Sequence, residues 1–214
     1  MRFPVFTYRR DFHSAMNFSR EQGLSVDNEK LATTLPMLSE LIVELSHRIP
    51  EILDQLSGQS REPVHEFGAQ CANTHYAILG FIQAHYGDMR PNLTIGEFGV
   101  DNKTLYNFSR EKFRDWLKAR PSIVDFHTWI ALGSGIIIDC TGPTYLQTRV
   151  NLQDVLGGIA HGEPGNLEIT RIESLAYEHL DLDTRGVRYF PVAVGAEALF
   201  AVAPKFDGDD PRAH

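Results

Sequence analysis

Between Leu35 and Leu56 the apolar residues Leu38, Leu41, Ile42, Leu45, Ile49, Ile52, Leu53 and Leu56 recur at helical spacing, the signature of an amphipathic helix. Pro50 lies inside this run and, having no N–H to give, predicts a kink or a break there. From about Gln70 to Tyr86 the pattern changes. Ala72, Tyr76, Ala77, Ile78, Leu79, Phe81, Ile82 and Ala84 place apolar groups on almost every side, which reads as a helix buried at the centre of the protein. Gly87 follows as a stop. A third helix is expected from Thr104 to Ala119, with Leu105, Phe108, Phe113, Trp116 and Leu117 as its stripe and Pro121 just past its end.

The chain then turns to β character. Residues Ile123 to Leu132 are rich in β-branched and aromatic side chains, Gly133-Ser134-Gly135 has turn composition, and Ile136 to Ile138 follow as a second apolar run, so this stretch reads as a hairpin. Further strands are expected near Leu167 to Ile172 and at Val187 to Val194, with a helix around Val150 to Leu156. Residues 1–30 show no clear period and read as an irregular arm, and Phe206 to His214 as a frayed acidic tail. The succession of helices and then strands points to an α+β fold. It is expected as one domain over residues 1–214, with 1–60 an N-terminal helical extension, 61–204 the core and 205–214 a flexible tail.

A hydrophobic content of 43% and a charged content of 22% are ordinary for a folded protein. The net charge of -8, with no basic stripe, argues against a nucleic-acid partner, whose affinity rests on Lys and Arg. No run approaches the roughly 18 apolar residues of a membrane-spanning helix. The opening Met1-Arg2-Phe3-Pro4 leads into Tyr8-Arg9-Arg10-Asp11 without a signal-peptide core, and Cys71 and Cys140 are too few for a disulfide framework. The expectation is a cytoplasmic protein with no membrane partner; oligomeric state leaves no signal.

Three residues carry candidate chemistry. Cys71 stands near the start of the buried helix, where unpaired N–H groups and the helix dipole stabilise a thiolate and could receive an oxyanion. His127 shares a strand face with Asp125 and Trp129, opposite Val124, Phe126, Thr128 and Ile130, and an imidazole held by packing suits a base. Asp139 ends the apolar run Ile136-Ile137-Ile138, and a carboxylate there needs a partner. A three-residue turn would set Leu132 opposite Ile136 and Trp129 opposite Asp139, placing His127 and Asp139 diagonally on one face, whereas a two-residue turn would separate them. Gln70 and Trp129 are candidate oxyanion-hole or substrate contacts.

A helix-initiating Cys71, then His127-Thr128-Trp129 on a strand, then Asp139-Cys140-Thr141 after a tight turn resembles the papain-like superfamily, in particular its transglutaminase-like branch with Cys, His and Asp in that order. The likeness covers Glu66 to Pro143, and H-x-W followed by G-x-I-I-D-x-T is its more specific part. The resemblance implies a papain/transglutaminase-like fold, with the cysteine helix packed on an antiparallel sheet. It further implies Cys71 as nucleophile, His127 as general base and then acid, and Asp139 as the group orienting the imidazole. A thioester would form on Cys71 and pass to water or an amine, from a peptide, amide or small acyl substrate and with no cofactor. The chain departs from the pattern at Ala72, where the papain branch tends to carry an aromatic, and at His65, which stands in place of a glutamine before the cysteine.

Two alternatives remain. One is a non-catalytic binding protein on the same scaffold. The other is a zinc-binding protein using His65, Cys71, His75 and His85, with Cys71 and His75 four apart on a helix, although no C-x-x-C or H-E-x-x-H occurs. His75 is also an alternative base for Cys71. His13, His47, His161, His179 and His214 read as surface, and Gly157-Gly158 as a flexible loop rather than a phosphate loop.

Overall fold

In a computed structural model, residues 7–30, 35, 37–57, 71–100, 103–121, 124–132, 135–142, 176–178 and 187–203 are described. Five helices among them, α1 (Thr7–Glu21), α2 (Leu38–Ser57), α3 (Cys71–His85), α4 (Arg110–Ala119) and α5 (Ala196–Val202), accompany one antiparallel sheet. Its six strands are β1 (Asn92–Val100), β2 (Lys103–Thr104), β3 (His127–Ala131), β4 (Ile136–Ile138), β5 (Ala176–Glu178) and β6 (Val187–Val194). The architecture is α+β. Strand β1 is central, pairing with β3 and β6 and, at its far end, with β2; β3 continues to β4 and β4 to β5.

Strand β1 was not legible as a strand because Gly96 and Gly99 interrupt its apolar pattern. Gly96 sits at a bulge between Ile95 and Gly96. A Cβ there would fall 2.2 Å from the Phe190 carbonyl oxygen and 2.6 Å from the Trp129 ring, so the glycine is what lets β6 and Trp129 close on the strand.

Residues 7–21 are not an irregular arm. They form α1, whose Tyr8, Phe12, Ala15, Met16 and Ser19 recur at helical spacing and are buried, while Arg9, Arg10, His13 and Asn17 face outward. The many polar residues on the outer face obscured this stripe. Helix α1 lies on β6, and the Trp129 Nε1–H donates to Tyr8 Oη at 2.7 Å, so this segment is part of the core rather than an extension. Helix α2 runs unbroken through Pro50, where a break was expected.

Helix α3 begins at Cys71, as anticipated, but is not buried all round. Cys71, Thr74, His75, Ile78, Leu79 and Ile82 form one buried face, and Tyr76 is 42% exposed. That face packs against β3. The helix expected from Thr104 starts only at Arg110, because Ser109 caps it by accepting from the Lys112 N–H at 3.3 Å. Residues before Ser109 are instead drawn back by Glu97. Of the two registers left open, the hairpin takes the one that sets Leu132 opposite Ile136, with Ile130 opposite Ile138, Ala131 opposite Ile137 and the Leu132 N–H donating to the Ile136 carbonyl at 2.9 Å. Strand β6 matches its expected span; β5 and α5 were not anticipated. The strand expected near Leu167, the helix near Val150, the Gly157-Gly158 loop and the acidic tail lie outside the described residues. Among the described residues no helix is long and apolar enough to cross a membrane.

Candidate active site

The register of β3 and β4 sets the site. It brings His127, at the start of β3, and Asp139, directly after β4, into a hydrogen bond of 2.7 Å from His127 Nε2 to Asp139 Oδ2. Both side chains are buried, at 1% and 0% exposure for His127 and Asp139. Packing of α3 on β3 then delivers Cys71, the first residue of that helix and 7% exposed. Its thiol lies 3.8 Å from the carbonyl oxygen of Phe126, the residue preceding His127. The three residues therefore converge.

Asp139 is held as an ordered anion. Oδ1 accepts from the Thr141 N–H at 2.9 Å, the Gly142 N–H at 2.8 Å and the Thr141 hydroxyl at 3.3 Å, an Asx-type turn. Oδ2 accepts from the Tyr189 hydroxyl at 2.6 Å as well as from His127. Burial opposes the charge, but His127 outweighs it and holds the carboxyl well below its ordinary range. At Gly142 a Cβ would fall 2.2 Å from Asp139 Oδ2 and 3.2 Å from His127 Nε2. Only a residue without a side chain fits over this hydrogen bond.

His127 carries the complementary shift. Burial again opposes its charge, and Asp139, followed by the Cys71 thiol, overcomes this and pushes its pKa up to about 10. With Nε2 on Asp139, the free nitrogen is Nδ1, which has no partner at hydrogen-bond geometry among the described residues, although Cys71 is near enough to favour the imidazolium. The ring is held among aromatic neighbours: Tyr106 lies nearly parallel to it at 6.2 Å, Trp129 stacks on it at 6.0 Å, and Phe98 is tilted against it at 5.1 Å. Trp129 is fully buried and its N–H is engaged by Tyr8, so it packs behind the imidazole rather than offering a face to substrate. Gln70 lies outside the described residues.

Sequence reasoning missed Glu97, Tyr106, Tyr189 and Gly142. Glu97, 3% exposed, accepts from the N–H groups of Phe98, Leu105 and Tyr106 on Oε1, each at 2.9 Å, and from Phe108 on Oε2 at 2.8 Å. It thereby fixes the loop that lays Tyr106 on His127. One acid between Gly96 and Phe98 in an apolar stretch was the available signal, since such an acid must satisfy backbone donors or a cation.

His75 is not placed as a base for Cys71. Its Nδ1 lies 2.8 Å from the Cys71 carbonyl oxygen and 3.3 Å from Thr128 Oγ1, and the Cys140 N–H donates to its Nε2 at 3.2 Å. His85 stands at the other end of α3 against Phe81, with ring centroids 4.8 Å apart, and His65 is outside the described residues. Among the described residues no three His, Cys, Asp or Glu side chains are grouped to hold a metal ion.

Comparison with models of known protein families, with curated proteins and with solved structures gives no match.

Proposed function

We propose that the chain is a cysteine-nucleophile hydrolase or acyltransferase acting on an amide or related acyl bond through Cys71, His127 and Asp139. The observation that carries this reading is the buried His127 Nε2 to Asp139 hydrogen bond of 2.7 Å, which leaves Nδ1 as the free nitrogen of a ring that interacts with Cys71. Nothing in ordinary core packing demands a buried imidazole with one nitrogen on a carboxylate and the other unpaired beside a thiol.

In this mechanism the proton of the Cys71 thiol rests on His127 Nδ1 and the thiolate attacks the acyl carbon. The C–S bond forms as the carbonyl electrons move to oxygen, and N–H groups at the start of α3 receive the oxyanion. Collapse breaks the bond to the leaving amine or alkoxide, which takes the proton from Nδ1, and a thioester remains on Cys71. Water or an amine then attacks, giving a proton back to Nδ1, and the thiol is regenerated. Asp139 stays ionised throughout, orienting the ring and balancing the imidazolium. The papain/transglutaminase-like fold suggested by the sequence belongs to the same proposal.

A second reading, a binding protein that keeps the arrangement without the chemistry, draws on the burial of Cys71, 7% exposed, with its thiol directed at the Phe126 carbonyl. The two separate on incubation with p-nitrophenyl acetate followed by intact-mass measurement. The enzyme reading expects an acetyl adduct confined to Cys71, labile to hydroxylamine and absent in His127→Ala. No adduct on the wild-type protein leaves the binding reading standing.

A further inference from the structure

One buried histidine has no part in that mechanism, yet it touches the neighbourhood of all three proposed catalytic residues. His75 is fully buried. Its Nδ1 is 2.8 Å from the carbonyl oxygen of Cys71 itself and 3.3 Å from the hydroxyl of Thr128, the residue after His127. Its Nε2 receives the N–H of Cys140, the residue after Asp139, at 3.2 Å. A single imidazole thus joins the start of α3, strand β3 and the end of β4, the three elements that must stay in register for the site to exist.

The contacts fix its protonation. A carbonyl oxygen only accepts, so Nδ1 bears a proton; a backbone N–H only donates, so Nε2 presents its lone pair to Cys140. Two other groups press the opposite way, namely Asp139 Oδ1 at 3.4 Å and the Cys140 sulfur at 3.4 Å from Nε2. Against the cost of burial they would draw the pKa up to about 9. The amide contact is shorter and aimed at the nitrogen, while Oδ1 is already saturated by Thr141 and Gly142. A second imidazolium would also face His127, whose ring centroid is 6.2 Å away, and like charges at that range repel. The facing groups, Cys71 on α3, Thr128 and His127 on β3, and Asp139 and Cys140 beyond β4, are thus best satisfied by a neutral ring.

We propose that His75 is a positioning residue of the site, a neutral Nδ1–H imidazole that ties the Cys71 carbonyl to the Cys140 amide and does not compete with His127 for Asp139. The inference rests on the reading of Cys71 as nucleophile. An asparagine can place its amide N–H near the position of Nδ1, whereas leucine fills similar space with no polar atom, so the two replacements separate positioning from packing.

The test compares Cys71 alkylation by iodoacetamide, thermal melting and the ring-nitrogen NMR spectrum of histidine-labelled protein, using wild type, His75→Asn and His75→Leu. In the wild type, His75 should show one protonated and one bare ring nitrogen at neutral pH. Loss of alignment by an ångström or less should slow Cys71 alkylation about tenfold or more in His75→Leu, with His75→Asn within about threefold of wild type. A wild-type His75 with both nitrogens protonated overturns the inference even if neither variant folds. So does a reactive wild-type Cys71 whose alkylation is slowed equally, or not at all, by the two variants. An inert Cys71 in the wild type is a different outcome, because it removes the nucleophile and therefore the proposed function itself.

Discussion

Gly142→Ala should break the site from a position that holds no functional group. The new methyl would start 2.2 Å from Asp139 Oδ2, roughly an ångström inside ordinary contact. The carboxylate cannot yield freely, since Thr141, Gly142 and Tyr189 also grip it. A displacement of about 1 Å would take the 2.7 Å bond to His127 out of hydrogen-bonding range. Losing a charged buried hydrogen bond costs about 1.5–3 kcal/mol, and forcing a methyl into a packed interior adds about 1–3 kcal/mol. The sum is about 2.5–6 kcal/mol. For a chain of 214 residues this corresponds to a fall in Tm of about 5–24 °C. Differential scanning calorimetry measures it, and the labelled-histidine spectrum of any folded fraction should show His127 released from Asp139. A Tm within about 2 °C of wild type, with the His127 resonances unmoved, would mean that the backbone at 142 has room to retreat and that the close-fit argument is wrong.

Other consequences can be measured on the same protein. Glu97→Gln replaces an all-acceptor group by one whose NH₂ faces a backbone N–H, and should cost about 2–4 kcal/mol in urea unfolding; a change below about 0.5 kcal/mol would remove Glu97 as the anchor of the Tyr106 loop. Tyr8→Phe leaves the buried Trp129 N–H without its partner and should cost about 1–3 kcal/mol, whereas an unchanged midpoint would argue that α1 is not bound to the core as described. The His127 pKa lies above its ordinary 6.5, so the contribution of its ion pair to stability is full below about 6.5 and is lost as pH rises through about 10. Asp139 lies below its ordinary 3.8, so the same pair contributes above 3.8 and fades as pH falls further. The Tm gap between wild type and His127→Gln should therefore be widest between about 3.8 and 6.5 and narrow toward about 10; a gap that widens in alkali contradicts this assignment of charge.

Elements with an unmixed local signal were legible in the chain. Helices α2 and α3 and the β3–β4 hairpin followed from periodicity and turn composition, and one of the two registers that composition allowed placed His127 near Asp139. What escaped depended on contacts distant in sequence. Strand β1 carries Gly96 because β6 and Trp129 press on it there, and a glycine needed for close approach looks like a breaker when read alone. Helix α1 hid its stripe under a polar outer face, and Tyr106 is held over His127 by an acid nine residues earlier. His75 looked like a ligand or a base because its position four residues after Cys71 is one helical turn away. The fold turned its ring onto the Cys71 carbonyl instead, a choice made by Thr128 and Cys140, which no helical pattern reveals.

The decisive measurement on Cys71 as nucleophile is its rate of alkylation by iodoacetamide between about pH 5 and 9 in the wild type, His127→Ala and Cys140→Ala. Cys71 should react faster than a free thiol below about pH 7, His127→Ala should abolish this advantage, and Cys140→Ala should keep it. A Cys71 that stays inert in the native protein, or that reacts only as an ordinary thiol, would contradict that role.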